Sequence, residues 1–356
     1  MDEKRSIYDI IQKAYIGGRL EEGFSLPAAD EGTEISFADG ALDGITYYHT
    51  ARRKLDEAGT ELMARALRYA GDGYVRDADT AFTELGKDFR AISIIDDLQD
   101  YIRGHGGDFP PKTLYQSALA LMMQSADRES VKFGLSIMEL FRFRDPGTKE
   151  VVRRLGMCDE FTIFSVWNML KWNGGNRDIF SLIRTVRGWG RIHALEKLVP
   201  ETSGIREWIL YNGVDNDVSP SYSALTAWEK ADVQTRLKGQ LTQEEFAAIG
   251  RIFRALLDEG PVPGISGVDD AEEYALRYLS QSDAFDMTID DYETVLDIYN
   301  WAVREEVRNP EITAKCAAIM ASDRCAKTVE EAVKTGRGVS LARMLGIACP
   351  DDHQNR

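Results

Sequence analysis

The sequence of 356 residues has few cysteines and no long apolar run. Its four cysteines form no CxxC pair and are too sparse for a disulfide framework, which agrees with a reducing compartment. No apolar segment approaches the roughly 20 residues that span a bilayer. The charged start MDEKRS is not followed by the apolar segment that a signal peptide needs. We therefore expect a cytoplasmic protein without a membrane-spanning segment.

Catalytic signatures are also missing. The sequence contains no GxxxxGK[ST] phosphate loop, HExxH zinc motif, GxSxG elbow or EF-hand loop. The four histidines stand singly, and no cysteine has the glycine-rich surroundings of a haem-thiolate loop. We expect no cofactor and no bound metal, and the sequence favours a binding protein over an enzyme.

Net charge is unevenly divided along the sequence. With 43 basic and 59 acidic residues the net charge is −16, which disfavours nucleic-acid binding and adhesion to an anionic membrane. Residues 1–110 carry −9 and residues 213–356 carry −11, whereas residues 111–212 carry 15 basic and 11 acidic residues, a net +4. The basic middle segment predicts an acidic partner.

What the sequence does contain is helical periodicity, almost everywhere after residue 60. A helix near 242–258 opens with the capping box Thr242…Glu245 and ends before Gly260-Pro261. Another long helix is expected near 79–102. The runs Ile45–Tyr48 and Ile92–Ile95 have the β propensity of short strands, but neither has a plausible pairing partner.

Between residues 129 and 212 the helices look paired, with a period of about 30 residues. The stretches SVKFGLSIMELF, EFTIFSVWNMLK and GRIHALEKLV begin near 130, 160 and 190, and a shorter second helix follows each of them. Such a period is typical of an α-solenoid, in which each unit buries its apolar face on the next. We predict an all-α, HEAT/ARM-like right-handed α-solenoid of paired helices; an irregular helical bundle is the alternative.

Composition divides the chain into three parts. Residues 1–59 are rich in glycine and acids, with one proline, around few apolar anchors, which predicts an irregular N-terminal arm. Residues 60–347 form the predicted helical repeat domain, and residues 348–356 a C-terminal tail. The segment GPVPGISGV at 260–268 is either a hinge within this domain or a long loop between helices.

Four arginines suggest a binding groove. Arg153 and Arg154 lie on one second helix, and Arg184 and Arg187 lie about 30–33 residues further on the next. Equivalent positions of successive repeats share a face, so these side chains are expected to line one basic groove. Arginine suits bidentate recognition of carboxylate. The alternative is that they pair with the chain's own acids or are simply solvated.

The segment GWGRIHALEKL at 188–198 adds three candidates for the same groove. Trp189, Arg191 and His193 start a helix, where they could form a polar cluster facing the groove. The alternative is structural: the two glycines permit a tight turn, Trp189 packs it and Arg191 bonds to neighbouring carbonyl groups. If Gly190 adopts a positive φ, replacing it by valine should destabilise the fold.

A second constellation lies in FADGALDGITYYHT at 37–50. Asp39, Asp43 and His49 are candidates for a cation site or a general base, if they converge. Turn formation by Asp-Gly at 39–40 and 43–44 explains the same residues without any chemistry.

Three stretches carry a resemblance to a known family: YDIIQKAYIGGRLEEGFSLP, FADGALDGITYYH and GWGRIHALEKLVPETSGIREWILYNGVDN. They resemble a bacterial family commonly labelled limonene hydroxylase. The label implies monooxygenase chemistry, which needs haem, flavin or activated iron. The helical pairing also resembles HEAT and armadillo repeats, which implies a concave surface that binds proteins or peptides.

The residues favour a non-enzymatic helical-repeat scaffold that binds an acidic protein or peptide through the basic groove. The alternative is a small-molecule enzyme, a hydroxylase by the family label, with a site near the N-terminal arm at Asp39, Asp43 and His49. The sequence predicts no oligomeric state.

Overall fold

The protein is almost entirely helical. The computed structural model describes residues 5–27, 37–50, 54–142, 145–260 and 262–349. Helices account for 67 % of the chain, and within these ranges the only strands are β1 (Tyr15–Ile16) and β2 (Arg19–Leu20), an antiparallel hairpin. The all-α prediction is confirmed. None of the helices described here is long and apolar enough to cross a bilayer.

The N-terminal segment is more ordered than an irregular arm. It contains α1 (Ile7–Ala14), the hairpin and α2 (Ala41–His49), while residues 28–36 and 51–53 of the expected arm lie outside the described ranges. The Ser6 side chain accepts a hydrogen bond from the Asp9 backbone N–H and so caps α1. Gly40, with a φ of 77°, begins α2. The turn residues therefore mark the starts of short helices.

The chain divides into two compact units. The first comprises residues 1–198 and 216–218, and the second comprises residues 199–215 and 219–356. The further helices of the first unit are α3 (Glu57–Asp72), α4 (Val75–Asp88), α5 (Ala91–Gly104), α6 (Pro111–Gln124), α7 (Arg128–Met138), α8 (Pro146–Gly156), α9 (Thr162–Leu170), α10 (Gly175–Ile183) and α11 (Trp189–Lys197).

Helices of the first unit pack both on their sequence neighbours and on helices two or three positions further along the chain. The neighbouring pairs are α3 with α4, α6 with α7, α8 with α9 and α10 with α11. In addition, α6 contacts α3 and α8, α7 contacts α4, α5 and α9, and α9 contacts α11. Every residue of α7 from Glu129 to Met138 is buried, so the centre of this unit lies around α7.

One sequence prediction for this unit is wrong, and the β propensity of two short runs does not produce strands. The helix expected near 79–102 is two helices, α4 and α5, because the chain is extended at Arg90 (φ −61°, ψ 141°). The runs Ile45–Tyr48 and Ile92–Ile95 are helical rather than strands. Ile92 and Ile95 lie three residues apart and are both buried, which is helical rather than strand spacing.

The second unit contains nine helices among its described residues. They are α12 (Ser203–Asn212), α13 (Ser221–Lys230), α14 (Val233–Leu237), α15 (Gln243–Leu257), α16 (Ala271–Leu279), α17 (Ile289–Ala302), α18 (Pro310–Met320), α19 (Asp323–Val333) and α20 (Val339–Leu345). Thr242 and Glu245 form the expected capping box at the start of α15. The break at 260–268 is a connection inside this unit, where Glu259 accepts hydrogen bonds from the backbone of Gly264 and Ser266.

Candidate functional site

A buried lysine stands at the centre of the first unit. Lys132 of α7 is fully buried, and its Nζ lies 2.6 Å from Asp43 Oδ2, 2.9 Å from Glu129 Oε1 and 2.5 Å from Glu160 Oε1. Asp43 comes from α2, Glu129 from the first turn of α7 and Glu160 from the segment before α9. Three separate elements thus meet at one ammonium group.

Two arginines and a further aspartate complete this ionic cluster, which consists of Asp39, Asp43, Arg90, Arg128, Glu129, Lys132 and Glu160. Arg90 lies 2.8 Å from Asp43 Oδ1 and 3.1 Å from Glu129 Oε1. Arg128 lies 3.0 Å from Asp39 Oδ1 and 3.3 Å from Glu160 Oε2. Four carboxylates therefore face three cations, with Lys132 fully buried and the two arginines partly exposed.

The ionisation of the cluster follows from competition between burial and charge. Burial lowers the pKa of Lys132, but the charges of Asp43, Glu129 and Glu160 outweigh burial and raise it well above its ordinary value. Burial acts to raise the pKa of Glu160, yet Lys132 lowers it below the ordinary value. Burial instead raises the pKa of Glu129 and of Asp39 despite their cationic neighbours. The charges of Lys132 and Glu160 are therefore the ones that their surroundings favour most.

The three carboxylates around Lys132 have the proximity of a metal-ligand set, with one oxygen of each lying within 4.8 Å of the others. The Lys132 ammonium already lies among these oxygens, so the positive charge that a metal would supply comes from the chain itself. This arrangement brings Asp39 and Asp43 into one cluster, as the alternative site requires. His49, in contrast, is exposed at the end of α2, with its ring 6.2 Å from that of Tyr48.

Acidic side chains also accept hydrogen bonds from free backbone N–H groups at the starts of helices in this region. Glu129 Oε2 accepts a hydrogen bond from Ala91 N at 2.7 Å, Glu160 Oε2 from Gly40 N at 2.8 Å and Asp159 Oδ1 from Gly190 N at 2.6 Å. These acceptors complement the positive ends of α5, α2 and α11. Burial raises the pKa of Asp159 to about 6, although its backbone hydrogen bonds oppose the shift.

The segment at 188–198 is a packing element. Trp189, Arg191 and His193 are all buried, and the His193 ring stacks on Tyr48 with ring centroids 5.8 Å apart. Burial and the charge of Lys197 lower the pKa of His193 to about 3, so its ring is neutral. Within the described residues, neither ring nitrogen of His193 has a hydrogen-bond partner.

Gly190 is required for a reason other than the expected one. It does not adopt a positive φ. A Cβ atom at this position would instead lie 2.3 Å from Thr162 Oγ1 and 2.5 Å from Asp159 Oδ1. The close approach of α11 to the start of α9 therefore excludes a side chain there.

The structure brings together two of the four groove arginines. Arg153 and Arg184 line a depression of about 330 Å³ with Met157, Met169 and Leu182. This depression is called the arginine depression below. Its lining combines basic and apolar side chains.

The other two arginines lie elsewhere. Arg154 is buried, 2.6 Å from Glu150 Oε1, with its guanidinium stacked over the Tyr15 ring. Arg187 is exposed and does not line the depression. Adjacent residues on a helix, such as Arg153 and Arg154 of α8, point in different directions. Arg187 lies beyond the end of α10 at Ile183, so helical spacing does not place it beside Arg184.

A larger cavity of about 580 Å³ lies beside α2 and was not expected from the sequence. Tyr47 of α2, Asp96 and Gln99 of α5, Glu139 after α7 and Trp167 of α9 line it. Its residues come from four segments that are far apart in the chain, so no local spacing could have revealed it. It is called the α2 cavity below.

These features define an all-α protein with a buried ionic cluster and two ligand-sized depressions in its first unit. Comparison with known proteins finds no matching family model, no matching curated protein and no matching solved structure.

Proposed function

We propose that this protein is a non-enzymatic helical-repeat scaffold that binds an acidic protein or peptide at the arginine depression. The observation that carries the proposal is the meeting of Arg153 and Arg184, which are 31 residues apart in the sequence, at one depression with apolar walls. Carboxylate groups of the partner would contact the guanidinium groups, and a neighbouring apolar side chain would contact the methionines.

Support for a repeat architecture comes from the packing of the first unit. One row runs through α3, α6, α8 and α10, and the other runs through α4 and α5, α7, α9 and α11. Two rows in which each helix contacts the next member of its own row are what an α-solenoid requires. We therefore propose the solenoid interpretation for this unit rather than an irregular bundle.

The charges at the depression favour an anionic ligand. Arg153 Nε donates to Asp178 Oδ1 at 2.8 Å, which neutralises one charge and fixes the guanidinium. Arg184 is exposed, with its guanidinium 5.0 Å from the centre of the Phe180 ring. Among the described residues no ion pair joins Arg184 to a carboxylate. Arg184 is therefore the main contact expected for an acidic group.

The test uses an array of short peptides that combine Asp or Glu with apolar residues, and a second array with Lys in place of the acids. We expect the protein to bind peptides of the first array only. Replacing Arg184 by Glu should weaken the best peptide about tenfold or more, because a charge-assisted contact becomes a repulsion.

Arg187→Glu is the matched control. Arg187 is also an exposed arginine, only three residues away, but it does not line the depression. Arg187→Glu should leave the affinity for the peptide within about twofold, since this variant changes the net charge by the same amount as Arg184→Glu without altering the depression. Equal losses in the two variants, or no binding by any acidic peptide, would contradict the proposal.

The enzyme alternative has less support. Asp39 and Asp43 are already engaged by Arg128, Arg90 and Lys132, so neither is available as a general base without breaking a buried ion pair. His49 is exposed and does not join them. The resemblance to the limonene hydroxylase family remains a prediction about ancestry.

A further inference from the structure

Among the described residues, the charged side chains that line the α2 cavity are all acidic. Two carboxylates, Asp96 and Glu139, line it, and no lysine, arginine or histidine among the described residues does. This contrasts with the arginine depression, where both signs are present. The sign of the lining predicts a cationic ligand.

The Glu139 carboxylate is held in place by a hydrogen bond from Gln99 of α5. The buried Gln99 donates from Nε2 to Glu139 Oε2 at 3.0 Å and to the Ser136 carbonyl at 3.1 Å, while its Oε1 accepts from Arg103 at 2.9 Å. Gln99 is only 7 % exposed. The Glu139 carboxylate is thus oriented before any ligand arrives, which reduces the entropy that binding must overcome.

One cation already lies near Glu139, and it is weakly held. Lys171 Nζ is 3.5 Å from Glu139 Oε1, with 52 % of its side chain exposed. Glu139 itself is only 15 % exposed, but the separation of 3.5 Å is long for an ion pair and Lys171 keeps half of its side chain in contact with solvent. The ammonium group of a ligand can therefore replace Lys171 at little cost.

Two aromatic rings line the cavity, beside aliphatic and hydroxyl side chains of α2 and α5. Tyr47 and Trp167 line the cavity, and the Trp167 ring is positioned edge to face against Phe164 at 5.4 Å. Tryptophan and tyrosine faces attract organic cations through the ring quadrupole. Carboxylates combined with aromatic faces favour an alkylammonium group over a bare metal ion, which prefers oxygen ligands alone.

We propose that the α2 cavity binds a small organic ammonium compound. Its volume of about 580 Å³ falls within the range of sites for small molecules. The ligand has the opposite charge to the partner proposed for the arginine depression. Since the two sites share no lining residue, the outcome of one test does not decide the other.

The experiment measures binding by isothermal titration calorimetry with three probes. Spermidine represents a free amine, a lysine tripeptide represents an ammonium on a peptide, and 1,8-octanediol is a neutral compound of similar length. We expect one or both ammonium probes to bind and the diol not to bind. The stronger of the two ammonium probes identifies the source of the group.

The variants Asp96→Asn and Glu139→Gln remove one charge each and retain hydrogen-bonding capacity. Each should weaken the ammonium probe about tenfold. The matched control is Asp97→Asn, because Asp97 is adjacent on α5 and exposed but does not line the cavity. It should leave the affinity within about twofold, as expected if long-range charge has little effect.

Trp167→Leu provides a second measurement that does not depend on charge. Loss of the cation–π contact should weaken the ammonium probe severalfold, with the helical content unchanged by circular dichroism. The proposal is overturned if neither ammonium probe binds, if the diol binds as tightly, or if Asp97→Asn weakens binding as much as Asp96→Asn. The last result would mean general attraction to an acidic protein.

Discussion

Lys132 keeps its charge without any solvent exposure because three carboxylates surround it. Replacing it by methionine preserves much of the side-chain length but leaves Asp43, Glu129 and Glu160 close together without their central cation. Removing one partner of a buried ionic network costs about 3–5 kcal/mol. We expect Lys132→Met to lower the free energy of unfolding by this amount, as measured by urea denaturation.

A surface pair provides the comparison for Lys132. Arg65 and Glu84 lie 3.0 Å apart with about half of each side chain exposed, so Arg65→Met should change the unfolding free energy by less than about 1 kcal/mol. If Lys132→Met costs no more than Arg65→Met, the buried cluster does not stabilise the fold in the way described.

His193 makes stability depend on pH. Its pKa falls from 6.5 to about 3 on folding because the ring is buried and Lys197 is nearby, so between these values the unfolded chain binds a proton that the folded chain does not. Stability is therefore fully present above pH 6.5 and is lost as the pH falls, by up to about 1.4 kcal/mol per pH unit.

The variant His193→Phe should remove this loss. Phenylalanine retains the stacking on Tyr48 and leaves no buried ring nitrogen without a partner, so stability at pH 7 should be equal or higher. Between pH 6 and pH 4 the difference between variant and native protein should grow in favour of the variant. His49→Phe, at an exposed position, serves as the control; a parallel pH dependence in native protein and His193→Phe would be evidence against the assignment.

At the residue scale, the repeat spacing was informative about proximity, while a binding role of the arginines stays a prediction. Arg153 and Arg184 were placed together by the repeat spacing, and both line one depression. The ionic cluster was out of reach, because Asp43, Arg90, Lys132 and Glu160 come from four segments of the chain and form no motif. A buried lysine in the buried helix α7 is explained only by the carboxylates that the fold brings to it from other segments.

At the scale of elements, helix α11 begins in tight contact with the start of α9. Gly190→Ala would place a Cβ atom against Thr162 and Asp159, and overpacking of this kind costs about 1–3 kcal/mol. The valine variant should cost more because its side chain is branched at Cβ. Thermal unfolding of both variants measures the effect.

Gly104, at the end of α5, is the matched control for Gly190. It is also a helical glycine, but a Cβ atom there meets nothing within 4 Å. Gly104→Ala should leave stability unchanged or raise it by up to about 1 kcal/mol, since alanine favours helix over glycine. If both alanine variants behave alike, close packing at Gly190 is not what requires glycine.

The boundaries of elements were predictable only where a capping residue marked them. Thr242 and Glu245 identified the start of α15 correctly. The break between α4 and α5 was missed, because the apolar period continues across Phe89 and Arg90 without glycine or proline. The extended backbone at Arg90 allows its side chain to reach Asp43 and Glu129, and this tertiary contact overrides the local helical pattern.

At the scale of the whole molecule, periodicity predicted the helical class because each helix buries one face. The position of the main division was not predictable in the same way. The segment at 260–268 has the glycine and proline content of a boundary, yet the two units divide around residues 198–219. Glycine and proline content indicates where the backbone can turn. A division between units depends instead on which helices contact one another.

The net charge of −16 leads to the last prediction. At about 0.01 M salt the screening length is about 30 Å, so an acidic peptide approaching the arginine depression is repelled by distant acids as well as attracted by Arg184. At about 0.15 M the length falls to about 8 Å, and only the nearby arginines act on the peptide.

The affinity of the acidic peptide should therefore rise between about 0.01 and 0.15 M salt and fall between 0.15 and 1 M. Spermidine, attracted both by the cavity and by the whole molecule, should lose affinity continuously over the same range. Titration calorimetry or fluorescence anisotropy at matched salt concentrations measures both curves. If both affinities change in the same direction below 0.15 M, the acidic flanks do not act on the basic segment, and the two ligands are not distinguished by the electrostatics of the chain.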